Sequence, residues 1–173
     1  MLTKMPDLIT DDPISHSSEL FSLVVNHEEM NTKITMELFA SIVNTKHIPA
    51  TCQLLQKHLP TIMHSKCFNK KNYPFAKEVK ETEIGHLFEH ILLEYLCHLK
   101  QRRGISKHVH NGLTRWNWKE DARGVFHIHV DAGHEDKEIF QVALKHSIEL
   151  LTDILQTAGP SAFPYGLKQP LID

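Results

Sequence analysis

The stretch His86-Leu87-Phe88-Glu89-His90 contains the residue types of a metal-dependent hydrolase. Two histidines four positions apart lie about one turn from each other on a helix, a separation at which both imidazoles can bind one ion. Glu89 lies beside them, and the order H-x-x-E-H is the mirror of H-E-x-x-H. Zinc lowers the pKa of bound water to about 7, and a neighbouring carboxylate can accept the proton. The motif therefore predicts amide or ester hydrolysis, with His86 and His90 as zinc ligands and Glu89 as general base.

A long helix, predicted from about Thr82 to Arg102, must position this motif. Apolar residues recur on one wide face of this segment, and that face is predicted to join the core: Ile84, Leu87, Phe88, Ile91, Tyr95 and Leu99. Thr82 is expected to cap the start of the helix, and Gly104 to end it. Leu93 and Cys97 continue the side that holds the motif, which favours a pocket floor over a solvated face. The alternative is that the motif only decorates a wet helix.

Zinc needs a third protein ligand, and a second helix predicted at about 136–156 is the expected source. If the two long helices lie parallel on one sheet, as in a βαββαβ-like layer, the start of the second helix faces the motif. Glu138 is then the expected third ligand. Three other residues stay open as alternatives: Glu135, His146 and Glu149. The metal itself stays open too, because imidazole and carboxylate also suit iron, nickel or copper.

A guanidinium between two aromatic side chains occurs in Thr114-Arg115-Trp116-Asn117-Trp118. Such a group can bind carboxylates and stack on planar moieties, so Arg115 and Trp116 are predicted to bind substrate. The competing interpretation is that the tryptophans pack into a sheet while Arg115 pairs with a local acid.

Short β-branched and aromatic runs at 20–25 and 34–43 predict two strands or a hairpin, with helix possible for the second. Strict alternation at 125–130 predicts a half-buried strand, on which His127 and His129 share a face and could line the site. The predicted architecture is α+β, with an antiparallel sheet and two long helices packed on one face. Residues 1–18 are expected to be a flexible leader, 19–157 a single domain, and 158–173 a C-terminal surface tail.

Composition excludes several classes of function. The formal charge is −2 over 173 residues, which argues against a nucleic-acid surface. No apolar run has the length of a signal peptide core or a membrane span, so neither export nor a membrane is expected. The three cysteines form no CxxC pattern and cannot all pair within the chain, which favours a reducing, cytoplasmic setting. The expected partner is a peptide or small polymer substrate, and a homo-oligomer is left open.

From Ile48 onward the chain resembles the N-terminal domain of cyanophycin synthetase, the enzyme that polymerises aspartate and arginine. The resemblance covers roughly residues 34–155. It is carried by Ile48-Pro49, Leu59-Pro60, Cys67, Phe75, Thr82, the block Gly85-His86-Leu87-Phe88-Glu89-His90-Ile91-Leu92-Leu93-Glu94, and Thr114-Arg115. The ATP-grasp and ligase modules that follow in the synthetase are absent here, so the resemblance implies a stand-alone homologue that does not make the polymer alone.

In some members of that family the domain is a metallohydrolase that cuts the polymer into primers. The resemblance thus implies zinc bound by His86 and His90, Glu89 as base, and a fold similar to the insulinase-like processing peptidases and S-ribosylhomocysteinase. The leading hypothesis is a zinc hydrolase, metallopeptidase-like, that cleaves an amide or isopeptide bond in a cyanophycin-like or arginine-containing peptide. The rival hypothesis is a non-catalytic peptide- or polymer-binding module. Thioether chemistry is disfavoured, because no cysteine follows Cys97 to act as a ligand.

Overall fold

One antiparallel sheet of five strands, in the order β1-β2-β3-β5-β4, forms the base of the fold. The computed structural model describes residues 13–67 and 72–163. The strands are Ile14–Ser17 (β1), Phe21–His27 (β2), Thr32–Leu38 (β3), Gly112–Arg115 (β4) and Val125–Val130 (β5). The helices are Thr51–His58 (α1), Phe75–Glu78 (α2), Ile84–Arg102 (α3) and Lys137–Gln156 (α4). The predicted α+β class is confirmed.

The sheet buries one face and exposes the other. In the β2–β3 hairpin, Leu23 lies opposite Met36 and Val25 opposite Ile34, and all four are buried. The intervening residues of β3, such as Lys33, are exposed. This alternation is the period-2 pattern of a half-buried strand, so the first predicted run forms a strand, and so does the second as far as Leu38; residues 39–43 lie beyond it. The alternation predicted for β5 is present as well, because Phe126, Ile128 and Val130 are buried.

The two long helices pack side by side, but they run antiparallel. Lys100, near the end of α3, forms an ion pair with Asp136, just before α4, with Nζ and Oδ1 2.5 Å apart. Further along α4, His146 packs against Tyr95 in the middle of α3. The start of α4 therefore lies at the end of α3, and the predicted parallel arrangement is wrong.

The first turn of α3 differs from the prediction in its cap. Glu83 occupies the N-cap position, and its side chain makes no capping hydrogen bond. The Thr82 hydroxyl, expected to cap the helix, instead contacts a ring nitrogen of His86. At the other end Gly104 has φ of 69°, the left-handed conformation that ends many helices, as predicted.

The ends of the folded part extend further than the sequence indicated. Residues 14–17, assigned to the flexible leader, form β1 and pair with β2. In the predicted surface tail, Ala162 and Phe163 are buried, and the Ala162 carbonyl accepts a hydrogen bond from the Ser41 amide. The remaining leader and tail, 1–12 and 164–173, lie outside the described residues. No helix within the described part has the length and apolar character needed to cross a bilayer.

The buried ion pair between α3 and α4 yields a stability prediction. The Lys100 side chain is 2% exposed, so Lys100→Met would leave the Asp136 carboxylate with no counter-charge in a buried place. Loss of one partner of such a pair costs about 3 kcal/mol of unfolding free energy. Lys33→Met is the matched control, because Lys33 pairs with Glu28 at the surface, where such pairs contribute less than about 1 kcal/mol. Urea unfolding of both variants measures the difference, and equal losses would contradict the prediction.

Candidate metal centre

One side of α3 forms the floor of a cleft of about 570 Å³. The floor residues recur at intervals of three or four, which places them in one stripe along the helix: His86, Glu89, His90, Leu93 and Cys97. Leu93 and Cys97 are only partly exposed. This side of α3 was predicted to be covered and to form a pocket floor, and the structure agrees.

Two segments bound this cleft from opposite sides. Residues 65–67 line it together with the stretch that contains β4. On a helix with about 100° between successive residues, Glu89 and His90 lie on either side of His86. β4 contacts Glu89 through Thr114, whereas Phe75, which follows the first segment, stacks on His90 with ring centroids 4.2 Å apart.

The two imidazoles of the motif converge. The Nε2 atoms of His86 and His90 are 3.1 Å apart. The Nδ1 atom of His86 lies 2.7 Å from the Thr82 hydroxyl, and a proton on Nδ1 would leave the Nε2 lone pair facing His90. Metal-bound histidines are held by such a second contact, which fixes both the tautomer and the ring.

A thiol completes the cluster. Cys67 Sγ lies 3.4 Å from His86 Nε2, and the ligand atoms of Cys67, His86 and His90 all lie within 4.8 Å of one another. Standard bond lengths to a tetrahedral zinc ion would place two nitrogen ligands about 3.3 Å apart, and a sulfur and a nitrogen about 3.6 Å apart. The His86–His90 and Cys67–His86 distances are close to these values, and thiolate with imidazole is a donor set that suits zinc among other soft metals.

Burial keeps both imidazoles neutral near pH 7. It lowers the pKa of His86, and it lowers the pKa of His90 to about 3 with a further contribution from neighbouring His86. Neutral rings offer lone pairs to a cation, so no proton must leave these histidines before metal binds.

Glu89 is held at the edge of the cleft that β4 forms. The Thr114 hydroxyl donates a short hydrogen bond to Glu89 Oε2. Gly112 on the same strand has no side chain, and a Cβ atom there would lie 2.7 Å from Glu89 Oε1. Burial raises the pKa of Glu89 to about 7, although the Thr114 hydrogen bond lowers it. In the absence of a metal ion, the carboxyl group therefore keeps its proton to a higher pH than an exposed glutamate does.

Glu138, the predicted third ligand, is not in the cleft. It lies in the first turn of α4, its side chain is 89% exposed, and its carboxylate is 4.0 Å from the Arg103 guanidinium. Because the two helices are antiparallel, the start of α4 lies beside the end of α3, about five turns away from His86. The structure therefore does not bring Glu138 together with His86 and His90.

The alternative ligands also lie outside the cleft. Glu135 is exposed in the short turn before α4, and His146 and Glu149 pair with each other on the surface of α4, with 3.6 Å between Nδ1 and Oε2. His127 contacts Asp121, and His129 is exposed on the open face of the sheet.

The predicted substrate-binding residues lie next to the cleft. Trp116 lines it, and its ring packs against Trp118 and Phe126. Arg115 is exposed in a neighbouring depression that Trp116 also lines. Of the competing interpretation, the packing of both tryptophans against the sheet at Phe126 is present, whereas no ion pair within the described residues joins Arg115 to an acid.

Comparison with protein families assigns this architecture to a known group. The family model described as "cyanophycin synthase-like N-terminal domain" matches residues 33–156, well over half of the chain. The chain belongs to this family. The cyanophycin synthase-like match includes Cys67, His86, Glu89, His90 and Thr114. Neither the curated proteins nor the solved structures include a match to this cyanophycin synthase-like chain.

The sequence did not predict that three further residues belong to the candidate centre. All three, Cys67, Thr82 and Thr114, belong to the family resemblance, but neither the count of cysteines nor the expected cap at Thr82 marks any of them as part of a metal centre. Nothing in the spacing of Cys67 from His86 marks it as a ligand, because 19 residues separate them. The signal in the sequence is chemical, because a thiol is a ligand type that zinc binds more readily than a carboxylate such as Glu138.

The ligand set makes a prediction about zinc affinity. Cys67→Ala removes one of three converging donors and should weaken zinc binding by about 100-fold or more, beyond what loss of an outer contact costs. Glu138→Ala, at the far end of the helix pair, should leave the affinity unchanged. Competition with a chromophoric chelator measures both variants against the unaltered protein. A loss of affinity in Glu138→Ala, or none in Cys67→Ala, would refute the assignment.

The buried carboxyl group makes a prediction about metal-free stability. The pKa of Glu89 rises from 4.5 to about 7 on folding, so the folded state binds more protons between these values. The stabilisation that Glu89 gives to the folded state is fully present below pH 4.5 and is lost as the pH rises through 7. Relative to Glu89→Gln, the unaltered protein should lose roughly 3 kcal/mol of unfolding free energy between pH 4.5 and 8. Urea titrations in EDTA give both curves, and a constant difference would contradict the argument.

Proposed function

We propose that this protein is a zinc-dependent hydrolase of amide bonds, with Cys67, His86 and His90 as ligands and Glu89 as general base. The observation that carries the proposal is the convergence of one thiol and two neutral imidazoles beside a buried carboxyl group. Three protein ligands leave a fourth position open, which is the arrangement of catalytic rather than structural zinc sites.

Zinc in such a site lowers the pKa of bound water to about 7 and polarises a carbonyl group. Glu89 is suited to the proton transfers because burial raises its pKa above that of an exposed glutamate, while a zinc ion beside it would favour the ionised form that accepts a proton. It takes the proton from the attacking water and delivers it to the leaving nitrogen as the C–N bond breaks. Thr114 orients the carboxylate, and Gly112 leaves room for it beneath β4.

The charge of the cleft favours substrates with basic side chains. Three further carboxylates line the cleft, from Glu78, Glu83 and Glu94, against one ammonium group, from Lys66. An arginine-containing peptide, linked through ordinary or isopeptide bonds, would place its guanidinium groups near these acids. A cyanophycin-like segment meets this description and agrees with the family.

A non-catalytic binding module is the second candidate. It is favoured by the exposed Arg115 guanidinium beside Trp116, since these residues could hold a peptide or polymer without metal. In that case chelation would leave the affinity unchanged and no peptide bond would break.

The proposed base can be tested by a pair of matched variants. Glu89→Gln keeps the size of the side chain and the metal ligands but cannot accept a proton, so kcat should fall by about 10²- to 10⁴-fold with zinc retained. Glu138→Gln is the control, because Glu138 lies in the first turn of α4, is exposed, and does not line the cleft. Hydrolysis of arginine-containing peptides, with bound zinc quantified in parallel, measures both. Equal rates in Glu89→Gln and the unaltered protein would remove the base assignment.

A further inference from the structure

β4 is an edge strand of the sheet. It is last in the strand order and, within the described residues, pairs with β5 alone. An edge strand presents backbone N–H and C=O groups without a partner, and these groups can bind another extended chain.

The register identifies which of these groups point outward. In an antiparallel pair, hydrogen-bonded and non-hydrogen-bonded residue pairs alternate. The Asp131 amide donates to the Asn111 carbonyl at 3.0 Å, so Asn111 and Asp131 form a hydrogen-bonded pair. Leu113 then bonds to β5, whereas the amides and carbonyls of Gly112 and Thr114 point away from it.

This outer edge borders the candidate metal centre. Gly112, Leu113 and Thr114 all line the cleft, and the Thr114 side chain holds Glu89. A further strand would lie about 4.8 Å from β4, in the space between β4 and the segment that contributes Cys67. Its carbonyl groups would then pass over the stripe of α3 that contains the ligands and the base.

Apolar surface flanks the same edge. Val109 is 67% exposed, Leu113 49% and Trp116 37%, and all three line the cleft. Alternate side chains of an extended peptide could cover these residues. The volume of the cleft is typical of pockets that bind a small molecule or a short peptide, and it is too small for a folded domain.

We propose that the substrate of this protein is an extended peptide that adds to β4 as a sixth strand, through the backbone groups of Gly112 and Thr114. The proposal rests on the proposed hydrolase function, and it names both the substrate class and its docking mode. In β-strand addition the main chain provides affinity and the alternate side chains provide specificity. The scissile carbonyl is thereby positioned by backbone hydrogen bonds, and one residue of slippage would turn every peptide side chain to the other face.

Amide hydrogen exchange tests the docking mode. The probe is an N-acetylated heptapeptide of alternating arginine and alanine, added at millimolar concentration to the full zinc-loaded chain carrying Glu89→Gln. The Gly112 and Thr114 amides should exchange about tenfold or more slowly with peptide, because each gains a hydrogen bond. The Leu113 amide is the internal control, since β5 already holds it. Absence of binding, or binding without slowing at Gly112 and Thr114, would overturn the proposal. Slowing that depends on protein concentration rather than peptide would also overturn it, in favour of a second copy at this edge.

N-methylation of the peptide provides a second measurement. Methyl groups placed on one amide at a time should weaken binding by about tenfold at every second position, where the N–H faces β4, and much less between them. A uniform or absent pattern would overturn strand addition. The hydrolase assignment is judged separately by zinc content and by the loss of cleavage in Glu89→Gln. Cleavage without the alternating pattern removes only the docking mode, and the alternating pattern without cleavage removes only the hydrolase.

Discussion

The position of the candidate metal centre depends on how closely α3 packs on the sheet. At Gly85 a Cβ atom would lie 2.3 Å from the ring of Phe126, so a larger residue would push the first turn of the helix away from β5. The next residue is His86. Since the apolar face of α3 is fixed against the strands, the remaining stripe has to face the cleft, and its two imidazoles meet there. The same contact places β4 near enough for Thr114 to reach Glu89.

Local periodicity was sufficient to predict the elements that present the motif. The spacing of apolar residues in α3 predicted both its buried face and the covered stripe that holds His86, Glu89 and His90. The alternation in β5 predicted a half-buried strand for the same reason, because side-chain direction repeats over a few residues. The second run of the β2–β3 hairpin, 34–43, is also compatible with helix, since short β-branched runs fit both. Its register became evident only from pairing.

Features that depend on contacts between distant segments were not predictable in this way. Whether α4 runs parallel or antiparallel to α3 changes no local pattern, yet it decides that Glu138 lies beside Arg103 and not beside the imidazoles. Cys67 reaches His86 through the course of the chain between α1 and α2, which no periodicity describes. The shifted pKa values of Glu89 and His90 are likewise products of burial, and burial of a polar group is visible only once the layers around it are placed.

The Cys67 thiol has a chemical consequence that a centre built only from histidines and carboxylates would not have. A cysteine sulfur can be oxidised stepwise to sulfenic and then sulfinic acid, and metal ligation requires the reduced thiolate. A hydrolase that depends on Cys67 would therefore release its ion and stop working when peroxide reaches the cleft. Repair by a cellular reductant would be possible only at the first of these steps, so under the proposed function hydrolysis would depend on the redox state of the surroundings.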